Sequence, residues 1–453
     1  MRKIPPLFKH QKETADFIVP KPSTFVTSTP GTGKTRSLLE VHSQTPHKTL
    51  VISPKTIMEP AWGQDLDLFY PNIEYGIFDR KHQNKPFYFQ DLFENHEIVI
   101  INHDAVHDVL TKAKPYLKDY DRLVYDEFTA VKNRTAARSK ATEKLAHEFE
   151  YKTLLSGSPT PRDLCDIWHP AFILDGGQRL GSNFFAFRNA ICQPVAKGYH
   201  QQFVEWEILP GAVEEVAHTL RDITIRHELE DVVEMPDRIY RPMVIKMPAK
   251  LRKAYNEMKT MAILELESGN ISAVNKAVLQ TKLLQICGGS IYDNNGDAKL
   301  LHTDKYNLIT QLVKEREASL VFFIWRHQRD IMVKLFKKAG IEAAVIDGHT
   351  TQTQRGQIVK DFQNGKYDVV LLQPAAAAHG LTLTRSTTTI WASPTYNYEH
   401  FIQANHRDYR IGQKKKSEVI MVQYENTLEQ SVYNDNLASK KQNQDRLLKV
   451  LKT

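Results

Sequence analysis

Cysteine is scarce in this chain, with Cys165, Cys192 and Cys287 the only three among 453 residues and no CxxC spacing between them. That excludes a disulfide framework and a clustered zinc site, and it predicts reduced thiols in a cytoplasmic setting. Long apolar runs are also missing. A membrane helix needs roughly 18 consecutive apolar residues, and the best runs here are Ile98–Ile101 and Val369–Leu372. The N-terminus, Met1-Arg2-Lys3-Ile4-Pro5-Pro6, starts basic but lacks the apolar stretch of a signal peptide. Neither repeats nor low-complexity blocks interrupt the chain. The expectation is a protein with no membrane partner.

What is present fits a folded, multi-domain protein. Apolar residues make up 41% and charged residues 25%, the balance of globular domains. The length predicts roughly two to four domains. A net charge of +7 permits a polyanionic partner without demonstrating one.

Two segments alternate short β-branched runs with helical stretches, the pattern of parallel α/β sheets. In the first, the strand candidates are Thr24–Thr27, Thr49–Ser53, Glu97–Ile101, Arg122–Tyr125 and Thr153–Leu155. In the second they are Leu320–Trp325, Ala343–Ile346, Asp368–Leu372, Thr388–Ala392 and Val419–Val422. All are apolar nearly throughout, as strands covered on both faces must be. Between them, Leu251–Ser268 and Ile271–Cys287 carry helical spacing. The layout predicted is residues 1–165 as a first lobe, 166–299 as a helical insertion and linker, 300–427 as a second lobe, and 428–453 as a basic helical tail.

The chemistry begins at Ser28-Thr29-Pro30-Gly31-Thr32-Gly33-Lys34-Thr35, which follows a strand and opens a helix. That is the context a phosphate-binding loop requires. Gly31 and Gly33 let the backbone approach a phosphate, and the N–H groups around Thr32 turn inward at the positive end of the helix. Lys34 is expected at the β- and γ-phosphates of ATP, and the Thr35 hydroxyl on Mg²⁺. The strict pattern would have glycine where Ser28 stands.

A second half of an ATPase site ends the apolar run Arg122-Leu123-Val124-Tyr125-Asp126-Glu127. Asp126 is expected to hold Mg²⁺, and Glu127 to orient and deprotonate the attacking water. Far downstream, Gln403-Ala404-Asn405-His406-Arg407-Asp408-Tyr409-Arg410-Ile411-Gly412-Gln413 places two arginines three apart. On a helix they would share a face and reach one phosphate as arginine fingers from a neighbouring domain. His103 and His107 are four apart, but no third ligand accompanies them, so a metal site is not expected. Lys414-Lys415-Lys416 is read as solvated surface.

Taken in order, these segments resemble the motifs of the Swi/Snf-like ATPases of helicase superfamily two, especially compact versions from bacteriophage genomes. Leu7-Phe8-Lys9-His10-Gln11 is similar to the family's adenine-reading motif, which assigns Gln11 to the base. Motif I is the loop above, and motif II is Asp126-Glu127-Phe128-Thr129-Ala130-Val131-Lys132-Asn133. Motif III is Leu155-Ser156-Gly157-Ser158-Pro159-Thr160. Val321–Trp325 and Ile346–Thr350 follow in the second lobe, then motif V at Gln373–Thr384 and motif VI at Gln403–Gln413, with Gln403 assigned to the nucleotide. Departures are Phe128-Thr129 in motif II, the alanines of motif V, and Pro161-Arg162 after motif III.

The resemblance implies two RecA-like α/β lobes, mostly parallel sheets with flanking helices, joined by a helical insertion. It implies an ATP- and Mg²⁺-dependent, DNA-stimulated ATPase moving along duplex or branched DNA, remodelling it or displacing bound proteins. The alternatives are a strand-separating helicase on DNA or RNA and, in another class, a nucleotide-gated DNA clamp with little turnover. Nucleic-acid contacts are assigned to Ser53, Lys55 and Asn102 in the first lobe. In the second they fall on Arg326, Thr382 and Tyr396. A monomer in the cytoplasm (the host's, for a viral chain) is expected, with replication or recombination proteins as partners.

Overall fold

The computed structural model describes residues 4–160, 163–197, 203–267, 273–292, 297–377, 381–438, 441 and 447. Pro161, Arg162, His379, Gly380 and nearly all of the basic stretch after 438 lie outside the described residues. The chain divides into two compact units, one of 1–195, 206–234 and 442–453, the other of 196–205 and 235–441. The segment expected to stand alone as a helical insertion is therefore shared between them.

The first unit is built on seven strands: β1 (Ser23–Val26), β2 (Lys48–Ser53), β3 (Tyr75–Ile77), β4 (Ile98–Asn102), β5 (Tyr120–Asp126), β6 (Tyr151–Leu155) and β7 (Thr224–Ile225). Their order is β3-β4-β2-β5-β6-β1-β7, and every pairing is parallel. Alternate residues feed opposite faces, as the two-residue period of a strand dictates. Leu50, Ile52, Leu123 and Tyr125 join one buried cluster, and Val51, Ile100 and Val124 join another. Both faces are covered, which explains the near-continuous apolar strands. Helices α1 (Lys9–Ile18) and α2 (Lys34–Gln44) flank this sheet, as does α3 (Phe184–Ile191), whose N-cap Asn183 accepts from the N–H groups of Phe185 and Ala186.

The second unit holds six parallel strands: β8 (Arg238–Ile245), β9 (Ser319–Phe322), β10 (Ala343–Ile346), β11 (Val369–Leu372), β12 (Thr388–Trp391) and β13 (Ser417–Tyr424). The order is β8-β13-β12-β9-β11-β10. Again alternate residues split between two clusters, Leu320 and Phe322 in one and Val321 and Phe323 in the other. Helices α4 (Arg326–Lys338) and α5 (Tyr398–Asn405) belong to it. The two expected middle helices appear as Ala249–Glu267 and Ala273–Cys287.

Two expectations about the middle stretch need correction. Strand β8 lies in the stretch taken as helical. Strand β7 returns from the same stretch to complete the first sheet. The tail, from residue 428, begins against the second unit: Tyr433 and Leu437 are buried there, and Glu429 pairs with buried Lys305 at 2.6 Å. Among the described residues no helix is long and apolar enough to cross a membrane.

Candidate functional site

Register aligns the chemistry of the first unit. Val26, Leu155 and Asp126 pair across β1, β6 and β5, so the segments that follow them leave the sheet at one edge. These segments are the phosphate loop, the turn at Ser156 and the carboxylates at 126 and 127. Ligands of open α/β sheets bind at this carboxyl end of the strands.

The loop itself is shaped for close approach. Gly31 and Gly33 take φ of 92° and 79°, values that a side chain disfavours, and Gly33 caps α2. Lys34 Nζ donates to the carbonyls of Ser28 at 2.9 Å and Thr29 at 3.3 Å. From α1, His10 Nε2 lies 2.8 Å from the Thr32 carbonyl, and Gln11 Nε2 donates to the same oxygen at 3.3 Å. The Gln11 Oε1 accepts from Phe8 N–H. Gln11 is thus buried as a brace of the loop. A Cβ built on Gly33 would come 2.2 Å from its Nε2, so no larger residue fits there without moving it.

Behind the loop, residues 224–229 form a second brace, which sequence reasoning missed. Thr27 N–H donates to Ile225 O, Thr29 N–H to His227 O, His227 N–H to Ser28 Oγ and Leu229 N–H to Thr29 Oγ1. Arg226 donates to the Thr27 carbonyl. Ser28, the departure from the strict loop pattern, therefore carries a hydrogen bond that glycine could not make.

Asp126 is buried, and burial raises its carboxyl pKa. The Trp62 indole, donating at 3.0 Å, counters this first, followed by the Lys34 ammonium, the Glu127 backbone and the Ser53 hydroxyl. His103 Nε2 donates to the Asp126 carbonyl at 2.8 Å, and its ring stacks on Tyr125. Although the His103 ring keeps intermediate exposure, burial holds its pKa down to about 4. Glu127 is one of three non-glycine residues with positive φ among those described, at φ 56° and ψ 60°. Such backbone persists where surrounding contacts hold it. Here Ser156 Oγ donates to Glu127 Oε2 at 3.5 Å. Gly157 backs onto the loop, where an added Cβ would lie 2.8 Å from Pro30 Cδ.

These residues fit a divalent cation. Asp126 is a buried carboxylate whose charge lacks full compensation, and a metal ion there would stabilise its ionised form. Thr35 stands in the first turn of α2, on the same loop.

In the second unit, α5 ends at Asn405, and His406 to Ile411 form turns. Arg407 and Arg410 therefore do not share a helical face. Arg407 is 2% exposed and donates to the carbonyls of Gln403 at 2.7 Å and Leu381 at 3.4 Å, tying motif VI to motif V. Arg410 is half-buried, donating to His406 O at 2.8 Å and to Thr382 Oγ1 at 3.2 Å. Gln403 is buried, with its Nε2 on Glu399.

The expected nucleic-acid contacts divide. Ser53 is 0% exposed with its hydroxyl toward Asp126, which removes it from any outer surface. Lys55 is exposed just past β2, and Asn102 ends β4 in register with Ser53. Arg326 is exposed at the start of α4, Thr382 is exposed beside Arg410, and Tyr396 is 37% exposed after β12.

Residues 10–288 match the family model of the SNF2-related domain, and residues 304–412 match the helicase conserved C-terminal domain. Protein p41 of Acyrthosiphon pisum secondary endosymbiont phage 1 is 29% identical over 272 residues, 58% of this chain and 57% of that one. An uncharacterised ATP-dependent helicase of Mycoplasma genitalium is 23% identical over 415 residues, covering 89% of this chain and 38% of its own. The chain thus spans about two fifths to three fifths of the length of these relatives. Among solved structures, the Sulfolobus solfataricus SWI2/SNF2 ATPase core in complex with double-stranded DNA aligns over 98% of this chain and 93% of that one. Its sequence identity is 19% and its TM-score 0.44.

Proposed function

Because the chain belongs to the SNF2-related family of helicase superfamily two, we infer that it is an ATP-driven motor that travels along duplex DNA without fully parting the strands. The observation that carries this reading is the convergence of Lys34, Asp126, Glu127 and Ser156 at one edge of one sheet.

The backbone N–H groups of residues 31–34 receive the phosphates, with the α2 N-terminus adding its partial positive charge. Lys34 exchanges its loop carbonyls for phosphate oxygens. Thr35 and Asp126 would hold Mg²⁺, which would neutralise charge on the phosphates. Glu127, fixed by Ser156, orients water for in-line attack and accepts its proton. We assign Gln11 to the adenine base, its amide leaving Phe8 and Thr32 to do so, and Gln403 to the nucleotide. From the second unit, Arg410 supplies the charge that stabilises the γ-phosphate as it leaves, and Arg407 holds the turn that presents it.

Grip on DNA runs through Lys55, Asn102, Arg326, Thr382 and Tyr396. Such contacts go chiefly to phosphate and sugar and give hold without sequence preference. The Arg410–Thr382 hydrogen bond links the finger to one of these contacts, a route from nucleotide state to DNA hold. The remodelling task and any replication or recombination partners belong to the same proposal, with a cytoplasmic monomer as the working form.

ATPase activity measured side by side with duplex, single-stranded, forked and RNA cofactors tests the reading, together with displacement of a triplex-forming strand. Stimulation by duplex with triplex displacement is expected. Robust strand separation without triplex displacement overturns it.

A further inference from the structure

Five side chains of the first unit, three rings and two guanidiniums, pack together outside the ATP site, with Phe184 and Phe185 also meeting edge to face at 5.7 Å. The order is Trp206, Arg188, Phe185, Arg134, Phe184. Arg188 Cζ lies 3.6 Å from the Trp206 ring centre and 5.3 Å from that of Phe185. Arg134 Cζ lies 4.9 Å from Phe185 and 4.9 Å from Phe184. Phe185 and Arg188 are three apart on α3 and share a face. Arg134 arrives from the turn just past motif II.

Beside the ladder is a pocket of about 230 Å³, lined by Asn133, Arg134, Phe184, Arg188 and Trp206 among others. That is below the ~300 Å³ at which pockets for drug-sized ligands begin, and it suits one planar ring better than a whole nucleotide. Lys132, also in the lining, already has a partner in Asp166 at 3.6 Å, and Asp163 lines the pocket too. Arg134 and Arg188 differ. Among the described residues neither makes an ion pair, and Arg188 Nε is buried without a hydrogen-bond partner. Phe185 is 52% exposed, a large apolar ring held in water at the middle of the ladder.

We propose that this ladder binds unpaired nucleotides of a DNA strand, as at a fork or gap. A base offers a flat face that extends an aromatic–guanidinium stack, and its phosphate takes the guanidinium edges that no carboxylate occupies. Duplex DNA hides those faces, so only unpaired bases can enter. An acidic peptide would satisfy the charges but would leave the rings without purpose. The inference rests on the DNA-motor reading and narrows it, since this surface would hold the motor at branched DNA while the duplex track runs elsewhere.

The test is fluorescence anisotropy of the full chain with three labelled DNAs: an oligothymidine, a fork with oligothymidine arms, and the same duplex blunt. Phe185→Ala and Arg188→Ala should each raise Kd for the oligothymidine and the fork about ten-fold. Blunt-duplex Kd and duplex-stimulated ATPase should stay within about two-fold of wild type. Arg188→Lys, which keeps charge but loses the plane, should resemble Arg188→Ala. An equal loss on blunt duplex makes the ladder a general phosphate grip and overturns the inference, as does an unchanged fork Kd. Competition by an acidic peptide but by none of the DNAs assigns it to a protein partner and overturns it also. A wild-type chain that binds none of the three DNAs sinks the motor reading itself, a different failure from loss of fork preference.

Discussion

Arg238 reaches Asp408 at 3.0 Å with both side chains buried, the first strand of the second unit holding the residue next to Arg407. Thr389 Oγ1 donates to the other carboxylate oxygen at 3.1 Å, Tyr409 donates to Pro236 O at 3.1 Å, and Arg238 lies 4.9 Å over the Tyr409 ring. The arginine turn is thus anchored to the chain just after it leaves the first unit. Breaking a buried pair by removing one partner costs about 3–5 kcal/mol. Arg238→Met should lower the stability of the second unit by that order in denaturant melts. It should cut DNA-stimulated turnover while leaving nucleotide affinity, set in the first unit, nearly unchanged. A parallel loss of nucleotide binding would show that the anchor does not act through the turn.

Lys34→Ala, Glu127→Gln and Arg410→Ala should each nearly abolish DNA-stimulated ATPase, with the arginine loss on the order of 10³-fold. Lys34→Ala should also weaken nucleotide binding, whereas Glu127→Gln should retain it. Steady-state kinetics with a fluorescent ADP titration separates these outcomes. Near-normal turnover in Arg410→Ala would remove the finger from the mechanism.

Gly157→Ala introduces a methyl 2.8 Å from Pro30 Cδ, an atom fixed to the backbone by its ring. The loop must shift by several tenths of an ångström. The expected result is a several-fold higher KM for ATP with a melting temperature within a few degrees of wild type. Unchanged KM would mean the turn at Ser156 and the loop move independently.

His327 is buried, donates Nε2–H to Gly288 O at 3.0 Å, and has a pKa held down to about 4 by burial. Unfolded, it would protonate near 6.5. Between those values the unfolded chain binds more protons, so stability falls as pH drops from 6.5 to 4 and levels off below. At pH 5 this group alone removes about 2 kcal/mol relative to pH 7. Denaturant melts at the two pH values should show it, and His327→Gln should reduce the dependence by this share, leaving that of His103 and the other buried histidines. A slope untouched by that substitution would assign the titration to other groups.

The parts that were readable in the sequence are those where chemistry restricts residue type. The phosphate loop, the Asp126-Glu127 strand end and the strand Ala343–Ile346 were legible because phosphate, metal and two-sided burial tolerate few alternatives. Strand β8 was not, since an edge strand reading Arg238-Ile239-Tyr240-Arg241-Pro242 is largely exposed and lacks the continuous apolar signature. Strand β7 has two residues, too few for any periodicity. The arginine pair misled because spacing by three implies a shared face only while the helix continues, and α5 stops at Asn405. Ser53 misled in the other direction, its position at a strand end hiding that its hydroxyl turns inward.

Strand β7 ties the nucleotide loop to a segment 200 residues downstream. On the ribosome, the loop and its catalytic carboxylates emerge long before their last wall. Until residues 225 to 227 are available, the amides of Thr27 and Thr29 lack their native acceptors, Ile225 O and His227 O. The native brace of the loop therefore forms only after residue 229 is made, and contacts this distant in sequence form slowly. An N-terminal fragment ending at residue 195 would carry the loop without this brace.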